Sequence, residues 1–333
     1  MILHDPANIN LPPIKVEKKN ERIDIENDNK VKNLIKTNLL LDKSFNNLYI
    51  KMLKNSKNLF EIIEELMKEE ISPTFISYYL EDSEERREIF YKFYSLSLFK
   101  NRIKSNHKLK NITVKEELLE VKTKMYNEIK KELIKISNNI QEELNKFEVK
   151  KKMEIQILTP TNIYTCQKCN KIISTNRFKR FNCKCGIKIK NINQVNQIPL
   201  YHFNNALIKF LSNNYWFEHG IDYILKRKNL ETLVGYYVLG HSGVWHEIDN
   251  IADNIGEKFR FFCECKNSDI KGNDILIFSG KMIDIGCTRG YIFTTSKEIT
   301  GDLIRLARAR NIDIITDVLN KTAENLMKEI KEG

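Results

Sequence analysis

The stretch from Trp245 to Lys266 reads WHEIDNIADNIGEKFRFFCECK. Two apolar-rich runs, each about a strand long, flank a turn around Asn254, Ile255 and Gly256. The first run carries Glu247 and Asp249, and the second carries Glu264 and Lys266. Side chains at i and i+2 of a strand share a face. Glu247 is therefore expected to point with Asp249, and Glu264 with Lys266. In a hairpin, three carboxylates and an ammonium then converge at one end of a sheet. Carboxylate oxygens are the ligands Mg²⁺ prefers, and a lysine beside them can hold a phosphate or an attacking water. The same pattern also fits a solvated sheet face with cross-strand ion pairs.

The segments around this stretch set its context. After Pro199 the periodicity is helical to about Lys228, with a break near Asn213 and Asn214. Strand-like runs follow at 231–239, 244–253 and 257–266. A helix over about 272–286 precedes a strand at GYIFTTS (290–296). A helix starting near Thr300, a short strand NIDIIT (311–316) and a last helix at 317–331 close the chain. The first three strands form a meander. The crossover to the fourth is a strand–helix–strand unit, so that strand lies parallel to the third. The expected domain over 199–333 is α/β.

Upstream, Cys166-x2-Cys169 is followed after thirteen residues by Cys183-x-Cys185. Two short knuckles supplying four thiolates are what a tetrahedral structural Zn²⁺ needs. A zinc ribbon is therefore expected over 154–198, with no open position on the metal for catalysis. Paired free thiols in a reducing cell are the plainer alternative. Between Cys166 and Lys190 lie eight basic residues and no acidic one. Four thiolates around one Zn²⁺ leave about +6 on this small module. Arg177, Lys179, Arg180 and Lys184, interleaved with Phe178 and Phe181, are expected to contact nucleic acid through phosphates and stacking.

Residues 1–30 are polar, contain Pro6, Pro12 and Pro13, and read as a flexible arm. From 31 to 153 there is no glycine and the pattern is helical. Leu118, Val121, Met125, Ile129, Leu133, Ile136, Ile140, Leu144 and Phe147 make one continuous helical stripe. Such a stripe packs on the preceding helices or pairs with a second copy of the chain as a homodimer. The whole chain has 333 residues and a net charge of +11, which favours a polyanionic partner. An AT-rich genome, which makes a chain heavy in Lys, Ile and Asn, would produce the same excess. No apolar run reaches the ~18 residues of a membrane span, and the first residues lack a signal-peptide pattern. A cytoplasmic protein without a membrane partner is expected.

The order of elements over 200–333, with this hairpin, resembles the restriction-endonuclease-like PD-(D/E)XK nuclease superfamily, above all its Mrr-type and archaeal branches. Glu218, in Trp216-Phe217-Glu218, looks like the family's helix carboxylate. Glu247-Ile248-Asp249 matches the acidic strand, and Glu264-Cys265-Lys266 matches Glu-x-Lys. Lys281 stands where related enzymes place a Gln or Lys facing phosphate. The acidic strand lacks the proline that often precedes the aspartate. The resemblance implies a mixed sheet flanked by helices and a metal-dependent endonuclease acting on DNA, of restriction-like or repair/junction type; the residues leave RNA open as a partner. It implies Mg²⁺ or Mn²⁺ on Asp249 and Glu264, with Glu218 or Glu247 completing the shell and Lys266 on the attacking water. His246, Cys263, Cys265 and Cys287 read as structural. A different class also fits: a non-catalytic nucleic-acid-binding or adaptor protein with a zinc ribbon. No Gly-x4-Gly-Lys-Ser/Thr run of a nucleotide-driven motor occurs.

Overall fold

The computed structural model describes residues 14–36, 39–67, 88–89, 92, 112–151, 158–175, 180–183, 185–254 and 259–331. In chain order the described elements begin with β1 (Val16–Glu17), α1 (Asn20–Asn27), α2 (Asn29–Ile35), α3 (Lys43–Met67) and α4 (Ile112–Lys151). Then come β2 (Thr159–Cys166), β3 (Ile172–Thr175), β4 (Phe181–Asn182), β5 (Lys188–Ile189) and β6 (Val195–His202). The last third holds α5 (Asn205–Ser212), α6 (Tyr215–Arg227), β7 (Glu231–Leu239), β8 (Trp245–Asn254) and β9 (Phe259–Lys266). It ends with α7 (Gly272–Ile285), β10 (Gly290–Thr294), α8 (Gly301–Arg308), β11 (Ile312–Ile315) and α9 (Ala323–Glu329). Two compact units result. One comprises Met1–Tyr49, Glu154–Ile157 and Asn205–Gly333, and the other Ile50–Met153 and Leu158–Asn204.

The first unit is mixed α/β. Its six-stranded sheet runs β1-β7-β8-β9-β10-β11. The strands β7, β8 and β9 form the expected antiparallel meander, and β10 lies parallel to both β9 and β11. One face buries Ile248, Ile251, Phe262 and Ile292 against Ile275, Phe278 and Met282 of α7. On α6, Trp216, Phe217 and Ile221 are fully buried, and the Trp216 ring lies 5.2 Å from that of Tyr49. Each such apolar side chain contributes about 1.5–3 kcal/mol by leaving water. The turn residues 255–258 lie outside the described residues.

The expected arm over 1–30 is corrected from residue 14 onward. Val16 pairs with Val238 and Glu17 with Tyr237, so β1 is an edge strand of the sheet. Ile14 and Val16 enter the core. Polar composition concealed this, because α1 is held through ion pairs rather than an apolar stripe. Residues 1–13 lie outside the described residues. The helix α2 also belongs to this unit, so the boundary expected at 31 does not separate domains. At the C-terminus, the expected helix over 317–331 is a short 3-10 turn, Val318–Asn320, followed by α9.

In the second unit, β2 pairs with β3 and β6, while β4 pairs with β5. The helical reading from Pro199 is corrected here: the strand β6 runs to His202, with Pro199 opposite Asn162. The edge position of β6 tolerates a proline, which has no N–H to give a further neighbour. The stripe of α4 is buried at Val121, Met125, Ile129, Leu133, Ile136 and Ile140. The backbone N–H of Tyr201 donates to Ser137 Oγ on the same helix at 2.8 Å. Among the described residues, these six positions of the stripe are covered within the chain. The side chains of Leu118, Leu144 and Phe147 lie outside the described residues. Among the described residues, no helix is long and apolar enough to cross a membrane.

Candidate active site and cysteine cluster

The ladder between β7 and β8 pairs Val234 with Asn250 and Tyr236 with Ile248, and it skips Gly235 and Asp249 between them. On β8, Ile248 and Ile251 both enter the α7-side core. In a regular strand an odd separation puts two side chains on opposite faces. The alternation therefore slips by one residue at Asp249. Gly235, at φ +62°, makes the matching irregularity on β7. This break interrupts the regular alternation on which the expected shared face of Glu247 and Asp249 rests. Glu247 accepts from Tyr237 Oη at 2.8 Å, while His246 Nε2 lies 2.6 Å from Asp284 Oδ2 on α7. Beyond the slip, Asn250 donates to the backbone oxygen of Glu218 at 3.1 Å.

At the same point β8 and β9 part. Their ladder ends at Asn250 against Cys263, while β9 stays paired with β10 up to Lys266 against Thr294. In the fork so formed, the backbone N–H of Cys265 donates to Asp249 Oδ2 at 2.6 Å. Among the described residues, the other oxygen of Asp249 has no hydrogen-bond partner. Lys266 Nζ lies 2.8 Å from Glu264 Oε1 and 3.7 Å from Asp274 Oδ1. Lys281 Nζ donates to Glu264 Oε2 at 3.2 Å and to the Glu247 backbone oxygen at 2.9 Å. Lys281 is thus tied to the carboxylate cluster from α7.

Glu218 comes to the cluster from α6, buried at 7% exposure. Its Oε2 lies 2.5 Å from Arg22 Nη2, a contact invisible in the sequence reading. Burial, with the charges of Glu218 and Glu264, pushes Asp249 well above the usual carboxylate range. Burial likewise pushes Glu218 up to about 7, with Arg22 opposing and Glu247 and Glu26 adding to it. Burial works against the charge of Lys266, but Glu264, Asp274 and Asp249 hold its pKa above the ordinary lysine value.

A carboxyl group whose pKa is raised by burial and by neighbouring carboxylates is a place where a hard cation would relieve both costs. Asp249, with one oxygen unpartnered, and Glu264 have the donor chemistry for Mg²⁺. Among the described residues, the acidic groups do not gather three ligand atoms as closely as the cysteines do. Cys265 Sγ donates to Asn250 Oδ1 at 3.5 Å. Cys263 is fully buried and Cys287 packs against the core, as expected of structural thiols. His219 is buried, with Nε2 3.1 Å from Glu26 Oε1.

In the second unit, the sulfurs of Cys166, Cys169, Cys183 and Cys185 lie within 4.8 Å of one another. Cys166 and Cys185 are 3.5 Å apart, and Cys169 and Cys183 are 3.4 Å apart. The first knuckle closes with Asn170 N–H donating to Cys166 O at 2.8 Å, and the second with Gly186 N–H donating to Cys183 O at 2.9 Å. Gly186 takes φ +93°, which side chains resist. Burial pushes the Cys183 thiol up to about 11. These four residues could hold a metal such as zinc. Beside them, Arg180, Asn182, Lys188, Ile189 and Lys190 line an open recess of about 520 Å³. Arg177, Lys179 and Lys184 lie outside the described residues.

No protein-family model matches this chain, and no curated protein matches it. Nine chains of solved structures do. One is described as "Crystal structure of protein VC1899 from Vibrio cholerae": it is 16% identical, with a TM-score of 0.32, over 38% of this chain and 37% of that one. The match spans well under half of that protein.

Proposed function

We propose that this chain is a metal-dependent endonuclease that hydrolyses phosphodiester bonds in DNA, with a restriction-endonuclease-like core of the PD-(D/E)XK kind. The observation that carries this reading is the fork between β8 and β9. It sets Asp249 against the Glu264-Cys265 backbone and Lys266 on the same stretch of β9. Asp249 and Glu264 would hold Mg²⁺ or Mn²⁺, which supplies an activated water and neutralises charge on the phosphoryl oxygens. Lys266, protonated across the neutral range, orients the attacking water or balances the charge of the pentacovalent phosphorus. Lys281 holds Glu264 from the other side and brings a second ammonium to the phosphate. Glu218 adds to the negative field around Asp249, and Glu247 lies beside Glu218.

The four cysteines are read as a structural Zn²⁺ site, closed to catalysis by its four ligands. The recess formed by Arg180, Lys188 and Lys190 suits a phosphate backbone. One observation favours the alternative of a non-catalytic nucleic-acid-binding protein: lysines already hold both oxygens of Glu264. Incubation of the full chain with supercoiled, linear, branched and single-stranded DNA, with Mg²⁺ or EDTA, separates the two. Mg²⁺-dependent cleavage supports the enzyme, whereas metal-independent binding without cleavage supports the adaptor.

A further inference from the structure

The N-terminal helix α1 inserts a cation into the carboxylate cluster. The guanidinium of Arg22, 3% exposed, donates through Nη2 to Glu218 and through Nε to Glu26 Oε1 at 2.8 Å. One side of it lies on Gly235, where an added Cβ would stand 1.8 Å from Arg22 Cζ. The ring of Tyr215 covers it on another side, its centroid 4.1 Å from Cζ. Among the described residues, Nη1 is buried without a hydrogen-bond partner. Leaving such a donor unsatisfied costs about 1–3 kcal/mol, and burying an ion pair often gains nothing over apolar packing. A tie between α1 and α6 would be made more cheaply by apolar side chains. The position of the charge explains why an arginine is there instead. Glu218 and Glu264 both lie near Asp249, Glu247 lies near Glu218, and Lys266 and Lys281 both engage Glu264. Arg22 is the cation that engages Glu218.

We infer that Arg22 is a positioning residue of the proposed nuclease site: as the resident counter-cation of Glu218, it keeps that carboxylate from the divalent ion, which then takes Asp249 and Glu264 as its carboxylate ligands. The inference rests on the nuclease reading. It makes the N-terminal segment part of the site rather than an appendage. It also has an unusual sign. Removing an arginine that only supports the fold should loosen metal binding. Removing this one frees Glu218 and subtracts a positive charge beside the ion, so divalent-ion binding should tighten.

The test is Mn²⁺ titration at pH 8, followed by the electron paramagnetic resonance of the free ion, with full-length protein and thermal melting of each variant. The wild type should bind one Mn²⁺ that Asp249→Asn removes. Arg22→Met should bind it about tenfold more tightly. Arg22→Gln/Glu218→Gln keeps a hydrogen-bonding pair and the net charge of the cluster, so its affinity should stay within about twofold of the wild type. That double variant decides the matter if Arg22→Met does not fold. Unchanged or weaker binding in a folded Arg22→Met protein overturns the inference alone, as does a tenfold loss in the double variant. A wild type that binds no Mn²⁺, or binding that survives Asp249→Asn, overturns the nuclease reading and this inference together.

Discussion

The backbone N–H of Cys265 donates to Asp249 Oδ2 at 2.6 Å, just past the last ladder pair of β8 with β9. A strand that leaves its neighbour exposes backbone donors, and burial requires that they be satisfied. Here the carboxylate of one strand takes over from the lost ladder. The same bond brings Asp249 to Glu264 and Lys266. Fold and site are thus made by one irregularity.

That irregularity makes Gly235 sensitive to substitution. Its φ of +62° disfavours any side chain, and an added Cβ would strike Arg22. Gly235→Ala should destabilise the protein by about 1–3 kcal/mol. Gly280, inside α7 with nothing within 4 Å of an added Cβ, is the control. Gly280→Ala should stabilise by about 0.5–1 kcal/mol. Urea melts of the two variants measure both changes, and equal behaviour would contradict this account of the strand slip.

The meander and the strands and helices after it were legible in the alternation and lengths of the runs from 231 to 316. The slip at Asp249 was not, because the i, i+2 rule assumes an unbroken strand. Gly235 inside a strand-like run was the one local signal of a bulge. The contact of Arg22 with Glu218 spans 196 positions, and no local pattern encodes such a distance. Proline content made residues 1–30 look like an arm, yet β1 needs only two residues to extend a sheet edge. The cysteine cluster was legible because its chemistry lies in spacing alone.

The ion-pair network of α1 predicts an acid-sensitive contribution to stability. Burial alone would raise the pKa of Glu26, but His219, Lys18 and Arg22 bond its carboxylate and lower it to about 2. A folded-state pKa below the unfolded value stabilises above the unfolded pKa and is lost as pH falls through the folded one. The contribution should be whole at pH 7 and fade from about pH 4.5 toward 2. Allowing for solvent screening, it amounts to about 1–2 kcal/mol. Chemical denaturation of the wild type and Glu26→Gln at pH 7 and pH 3 should show a gap that narrows at the lower pH.

The cysteine cluster should carry roughly one zinc per chain by elemental analysis. Cys183→Ser should lower that content and the melting temperature of the ribbon-bearing unit. Full-length protein with no bound metal and an unchanged melting curve in strong chelator would contradict the zinc reading.

The basic recess predicts a salt effect. Arg180→Ala, Lys188→Ala and Lys190→Ala should each weaken DNA binding across sequences and reduce the slope of log affinity against log salt by about 1. Fluorescence anisotropy over a salt series measures this. Slopes identical to wild type in all three variants would remove the recess from the interface.

The proposed nuclease chemistry stands or falls on the fork between β8 and β9. Cleavage of supercoiled plasmid in Mg²⁺ by Asp249→Ala, Glu264→Ala and Lys266→Ala, each verified as folded by its melting curve, tests it most directly. Each variant should retain DNA binding and lose cleavage by about 10²-fold or more. Cleavage that survives both Asp249→Ala and Glu264→Ala at wild-type rates would contradict it.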